Sequence, residues 1–429
     1  MAGSPWLGLA LFTGLLIAGV PLYIALIGVT ALLTAMSGGP IAGIGQFLLD
    51  QFNSGTLMAL PFFVLAAVFQ GGGVARSLMN MAAAWVGWLP GGIPIATLLA
   101  TGLFAAVNGS SIATALAMGT LVVPQMTERG YSRRFAVGLT AAAGTLGILF
   151  PPSLMMVLYG LVAETSIPRL FLAGILPGFL QIALFIGVIL LTARRNGGRS
   201  EPFAGWPSFA RANVNALPGL LVPIIVLGGI YGGLVTLSEA SALAAATALL
   251  VAWLGYRAVR LPQVPGMLVD GMTRTASVLM IVAGATLLSH WLTRTGLPAK
   301  LVAGVGAMHL ARWQFLLLMD GILLLLGAFL EGTAIILISV PLTLPILDAL
   351  GIDRVHYAII IGITIELAML HPPVGLNLYV MSEISKAPVA EVIMGVLPFL
   401  AAMIVLLLVV TFVPDIVTVL PNLLLGRPQ

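Results

Sequence analysis

Cysteine is absent from this chain. No disulfide framework and no thiolate metal site can therefore form. Charge is nearly as scarce. Only 7% of the residues are charged, against 60% hydrophobic, whereas a soluble domain carries about 25% charged residues. A chain with this balance cannot cover its own surface with polar groups in water. Catalytic signatures are missing too: there is no Walker sequence, no HExxH, no nucleophile elbow and no glycine fingerprint for a cofactor. An enzyme is not the reading, and any work the protein does must draw on an ion gradient or on another subunit. The net charge of +4 is not a nucleic-acid signature, because the basic residues sit in a few short loops.

What is present is a series of apolar runs of roughly 18 residues or more, long enough to cross a bilayer as helices. A membrane β-barrel would instead show segments of about 10 residues with alternating polarity. The runs here are solid, as at 403–413, so the expectation is an all-α polytopic membrane protein seated in the lipid bilayer. The start of the chain lacks the pattern of a cleaved signal peptide, and residues 6–36 read as a retained first span. The tryptophans mostly lie at segment ends and read as an interfacial belt. Arg194, Arg195, Arg199 and Arg211 mark a loop at 194–215, and Arg257, Arg260 and Arg274 mark another. Short basic loops stay in the cytoplasm. Two spans, near 216–235 and 237–254, separate these loops and return the chain to the same side.

The chain also repeats itself. Pro151-Pro152 recurs as Pro372-Pro373, at an offset of 221 residues. Leu121-Val-Val-Pro124 recurs as Leu342-Thr-Leu-Pro345, Gly130-Tyr-Ser-Arg133 as Gly351-Ile-Asp-Arg354, and Gly174-Ile-Leu-Pro177 as Gly395-Val-Leu-Pro398, all in that register. Two homologous halves are expected, 1–193 and 216–429, joined by the cytoplasmic loop 194–215. The segment 128–134 carries three arginines against one acid, whereas 348–354 carries two acids and one arginine. The first reads cytoplasmic and the second does not, which favours inverted repeats, an architecture common among secondary transporters.

Each half interrupts its apolar segments twice. In the first, Asn108-Gly-Ser-Ser111 lies between apolar arms 93–107 and 112–123. Arms of about 14 residues are shorter than the roughly 20 needed to span, so 90–126 reads as a re-entrant helical hairpin. The stretch 135–163 is broken between Gly144-Thr145 and Pro151-Pro152-Ser153, since proline removes a donor and clashes with the preceding turn. In the second half, Glu331-Gly-Thr333 is the tip of a hairpin at 314–347, and His371-Pro-Pro-Val-Gly375 breaks a helix at 355–385, before a last span at 390–414. Unwound carbonyls are costly in lipid, and with hydroxyl and amide oxygens they form a cage suited to sodium. Half-helix N-termini offer NH groups to an anion. Asn108, Ser110, Thr145, Ser153 and Asn377 are the candidates for contact with a small organic anion. The bland readings stay open: Gly-Ser pairs can serve close helix packing, Asp320 can sit near an interface, Glu331 and Glu366 can hydrogen-bond the scaffold, and His371 can cap a loop.

These residues resemble a family, the large membrane subunit (large permease) of TRAP, or tripartite ATP-independent periplasmic, transporters. The resemblance rests on Asn108-Gly-Ser-Ser-Ile-Ala-Thr114, Ala143-Gly-Thr-Leu-Gly-Ile-Leu-Phe-Pro-Pro-Ser153, Leu170-Phe-Leu-Ala-Gly-Ile-Leu-Pro-Gly178, Thr236-Leu-Ser-Glu-Ala240 and Pro372-Pro-Val-Gly-Leu-Asn377. It implies a multi-pass protein of the bacterial inner membrane that works with a periplasmic substrate-binding protein and a small membrane subunit of about four helices. It implies uptake of an organic acid driven by sodium, with hairpins and broken helices moving as an elevator against a fixed scaffold. It places a first sodium site at Ser110 and Ser111 with carbonyls of Gly147, Phe150 and Pro152. It places a second at Gly332 and Thr333 with Ala368, His371 and Val374.

Two departures matter. Asn108 replaces the usual serine of the first tip and keeps an oxygen. Ala368 and His371 stand where the family usually has glycine and threonine, so a hydroxyl is lost, and His371 is expected either to ligate sodium weakly or to make transport depend on pH. A stand-alone anion symporter of a related inverted-repeat family, sodium- or proton-coupled, is the alternative. Co-purification with a small membrane partner would separate the two.

Overall fold

The structure, a computed structural model, describes residues 5–53, 73–196, 202–328, 330–372 and 375–426. The described residues are helical apart from short connections. In chain order the helices are α1 Pro5–Ile17, α2 Leu22–Met36, α3 Ala42–Asn53, α4 Gly73–Val86, α5 Gly92–Asn108, α6 Ser111–Glu128, α7 Arg133–Ala143, α8 Leu154–Val162, α9 Ile167–Asn196 and α10 Trp206–Tyr231. They continue as α11 Leu237–Leu250, α12 Val264–Arg294, α13 Leu297–Ala307, α14 Arg312–Gly327, α15 Gly332–Leu350, α16 Arg354–Leu370, α17 Leu376–Ser385, α18 Val389–Phe412 and α19 Asp415–Leu425. Six stretches among the described residues are long and apolar enough to cross a membrane.

Local chemistry sets many of the boundaries. Ser132 begins α7 by accepting from Phe135 N, and Asp353 begins α16 by accepting from Val355 N and His356 N. Thr236 and Glu239 close a reciprocal capping box on α11. Four expectations need correction. Residues 6–36 are not one span: the chain breaks at 18–21, where Gly19 adopts φ +78° and Pro21 precedes α2. The hairpin arms exceed 14 residues, at 17 for α5, which takes in Gly92 and Asn108, and 18 for α6, where Pro124 is carried inside the helix and does not end it. The loop expected at 194–215 is largely helix, because α9 runs to Asn196 and α10 starts at Trp206 with a proline in its first turn. Finally, Trp291 is 5% exposed against the core of Val29 and Leu33, unlike Trp206 at 74%.

Packing crosses between the halves. Helix α7 lies closest to α18, and a Cβ placed on Gly138 would fall 2.2 Å from the carbonyl carbon and oxygen of Gly395. Arg133 pairs with Glu391 at 2.7 Å, and Arg134 donates to the Met394 carbonyl at 3.1 Å. Phe399 meets both Phe135 and Phe185. The second arm of each hairpin rests on the short helix after the break of the other half: α6 on α17, and α15 on α8. At the far end, Arg169 on α9 holds Asn422 and the carbonyl of Gly426, fastening α19 to the bundle.

Around this centre, α2 packs on α12, and α4, α10 and α11 form a second group. Tyr256 holds that group together. Its hydroxyl accepts from Gly219 N at 3.1 Å and from Ser77 Oγ at 3.0 Å, and donates to the Asn215 carbonyl at 3.0 Å. The hydroxyl therefore ties α10, at Asn215 and Gly219, to Ser77 of α4. Tyr256→Phe removes all three hydrogen bonds. It should cost about 1–3 kcal/mol, read as a lower unfolding temperature in detergent; an unchanged transition would show the tie to be idle.

Candidate functional site

The first tip is built by three adjacent residues. Asn108 ends α5, Gly109 turns the chain at φ +67°, a conformation that favours glycine, and Ser110 caps α6 by accepting from Ala113 N at 3.3 Å. The turn is not a surface loop: Asn108 is 2% exposed and Ser111 is 8%. It seats on the first break. A Cβ on Gly144 would lie 3.5 Å from the Ser111 carbonyl, and one on Gly109 would lie 3.6 Å from Leu154 Cβ.

The break itself follows from the prolines. After α7 the chain makes one tighter turn, Gly144–Ile148, and then unwinds until α8. A helix would close Gly147 O and Ile148 O with the NH groups of residues 151 and 152, and both are prolines that have none. Ser153 repairs half of this loss, donating to the Ile148 carbonyl at 2.6 Å while capping α8 through Met156 N. The first tip thus meets the tight turn that carries Gly147, through Ser111 and Gly144, and the start of α8, through Gly109 and Leu154, while Phe150 and Pro152 lie in the unwound stretch between them. Into this group comes Asn377, from α17 of the other half. Its Nδ2 donates to Ser111 Oγ at 2.7 Å and lies 3.5 Å from the Ala141 carbonyl. Asn377 is wholly buried and its Oδ1 has no partner, and neither amide atom of Asn108 has one. Buried amides without partners are costly.

The second tip differs. Glu331 precedes α15 without a side-chain cap, and its side chain is exposed. A Cβ on Gly332 would lie 2.6 Å from Ile365 Cγ2, and one on Gly327 would lie 2.3 Å from Ala368 Cβ, so this hairpin seats on the end of α16. Gly332 and Ala368 are therefore neighbours of one interface, with Thr333 half-buried beside them. His371 caps α16 through its backbone: its NH donates to the Ala368 carbonyl at 3.3 Å, and its own carbonyl accepts from Gly375 N at 3.0 Å. The His371 side chain is exposed. Val374 lies outside the described residues.

Two of the predicted ligand contacts serve the protein itself. Ser153 is the repair just described. Thr145 donates to the Ala142 carbonyl and to Glu366 Oε2, each at 2.9 Å. Glu366 Oε2 also accepts from Gln181 Nε2 at 2.5 Å. Gln181 escaped the sequence reading; its signal is a lone amide inside an apolar span. Asp320 is buried inside the protein: it is 3% exposed and accepts from Thr364 Oγ1 at 2.8 Å. Beside the second hairpin, a cleft of about 750 Å³ opens between α12 and α15, with Thr286, Ser289, His290, Asp348 and Arg354 in its walls.

Comparison with known proteins bears on this arrangement. The family profile described as "Tripartite ATP-independent periplasmic transporter, DctM component" matches residues 9–416. The C4-dicarboxylate TRAP transporter large permease protein DctM of Vibrio cholerae is 38% identical, over 97% of each chain. The sialic acid TRAP transporter large permease protein SiaM of the same organism is 34% identical, over 97% of this chain and 98% of its own. Among solved structures, the YdaH transporter of Alcanivorax borkumensis superposes with a TM-score of 0.57 at 16% identity, covering 85% of this chain and 86% of its own, a likeness of fold. This chain belongs to the TRAP transporter large-permease family and is a multi-pass protein of the bacterial inner membrane.

Proposed function

We propose that this permease takes up a small organic anion on a sodium gradient, receiving it from a periplasmic binding protein and working beside a small membrane subunit. The observation that carries the reading is the buried meeting of the first tip, the first break and Asn377, with the carboxamides of Asn108 and Asn377 left for a ligand. Relatives named for a C4-dicarboxylate and for sialic acid direct the substrate toward carboxylates, keto acids and sugar acids included.

The oxygen donors fit sodium at the first site. Ser110, Ser111 and the carbonyls of Gly147, Phe150 and Pro152 are uncharged hard ligands, and proline has removed the NH group that would have occupied Gly147 O. The second set is Gly332 and Thr333 with Ala368, His371 and Val374. Bound sodium supplies the positive charge that lets a carboxylate enter a low-dielectric site. The protein holds the donors in place, orients the anion through its amides, and excludes water by burying the tip. An elevator movement of the hairpins and broken helices suits this plan. Its support is the register of the helices: α5, α6, α7, α8 and α9 begin at 92, 111, 133, 154 and 167, and α14 to α18 begin at 312, 332, 354, 376 and 389. Inverted repeats of this kind give two equivalent positions for one site. The cleft between α12 and α15 is the route proposed for the anion.

The test is thermal stability of the purified protein in sodium against potassium. A ligand that binds only the folded state at a hundredfold excess over its Kd stabilises by about 2.7 kcal/mol. A sodium-specific rise in unfolding temperature, lost in Ser110→Ala/Ser111→Ala, is the expected result. Equal curves in the two salts would end the sodium reading.

A further inference from the structure

We infer that Thr145, Glu366 and Gln181 form a buried strut that couples the two candidate cation sites, so that filling one prepares the other. The inference rests on the sodium reading above. Thr145 and Glu366 are 221 residues apart, the offset that relates the two breaks. Each stands two residues before a backbone position assigned to a cation: Gly147 after Thr145, Ala368 after Glu366. The two segments therefore touch at equivalent points, and a hydrogen bond of 2.9 Å joins them there.

The bond is placed to transmit force. Glu366 is wholly buried, and Oε2 accepts both Thr145 Oγ and Gln181 Nε2. Thr145 lies in the tight turn Gly144–Ile148 that ends α7, the part of the first break whose carbonyls would reorganise around an ion. Glu366 lies in the last turn and a half of α16, against which Gly332 and Gly327 of the second hairpin are seated. Gln181 anchors the shared oxygen from α9, which belongs to neither break. If Thr145 shifts when the first site fills, Glu366 must follow or lose one of the two donors that its wholly buried Oε2 has, which is unfavourable for a buried carboxyl. The alternative arrangement of one break is thereby linked to that of the other, and such linkage is reciprocal. In these terms Thr145, Glu366 and Gln181 are positioning residues, and none is a ligand.

The experiment is a sodium chloride titration of the purified full chain at constant ionic strength, balanced with choline chloride and followed by tryptophan fluorescence. With two coupled sites the Hill slope should approach about two. Thr145→Val removes the donor with little change of volume, and Glu366→Leu removes the acceptor. Both should bring the slope to about one while the protein stays monodisperse. Thr145→Ser and Glu366→Gln keep a donor and an acceptor in the same places and should keep the wild-type slope, which a merely structural loss would not explain. A wild-type slope of about one, or a slope unchanged in Thr145→Val, overturns the strut but leaves sodium binding intact. A flat wild-type titration removes the sodium reading, and the strut falls with it. Thr145→Val keeps the question answerable should Glu366→Leu fail to fold.

Discussion

Gly138→Leu should leave no folded protein to purify. A Cβ at this position would stand 2.2 Å from the carbonyl carbon and oxygen of Gly395, and those atoms are backbone that no rotamer change can move. The two helices would have to separate, and α7–α18 is the contact through which the halves are joined by an ion pair and stacked rings. Overpacking of a side chain usually costs about 1–3 kcal/mol; forcing apart two backbones exceeds that range. Gly187→Leu is the control, since nothing lies within 4 Å of a Cβ built there. Size-exclusion profiles of the two variants from equal cultures decide the matter. A monodisperse Gly138→Leu with the wild-type unfolding temperature would mean that the α7–α18 approach is looser than described.

The second large effect concerns Asn377. Asn377→Ala takes away the donor to Ser111 Oγ and the unpartnered oxygen beside the first tip. Losing a buried hydrogen bond and a ligand contact together amounts to about 1–3 kcal/mol, or roughly a ten- to hundredfold rise in the sodium concentration at half-saturation. Ser111→Ala should produce a loss of the same order, because it leaves the buried Asn377 amide with only the long contact to the Ala141 carbonyl. The two share one interaction, so the double variant should be barely worse than either single one. Losses that multiply would show Asn377 and Ser111 to act separately; a wild-type midpoint in Asn377→Ala would remove it from the site.

Much of this site was legible because its signals are local. A polar Asn108-Gly-Ser-Ser111 between apolar arms, and a proline pair inside an apolar stretch, change what the backbone itself can do, and no tertiary contact is needed to notice them. The turn at Gly109 and the unwinding before Ser153 lie where that chemistry puts them. The membrane class was legible for the same reason. What the sequence concealed depends on partners distant in the chain. Thr145 and Ser153 have hydroxyls suited to a ligand, and only the fold reveals that Glu366 and Ile148 O already hold them. Gln181 carries no motif, and its meaning appears only when α9 lies against α16. A proline misled in the other direction: Pro124 remains inside a helix, so that arm runs longer than breaker chemistry suggests.

The crossed seating of α6 on α17 and α15 on α8 sets a schedule for synthesis. When α6 has just been translated, the helix it must rest against ends 257 residues later, from Glu128 to Ser385. At about 5–20 residues per second, that is a wait of roughly 10–50 s. Throughout it the first tip, with its buried Asn108, must be kept from lipid by the nascent half alone or by the insertion machinery. A ribosome paused between the two halves would therefore release a fragment with a polar turn and no seat, and quality control would have a defined species to recognise.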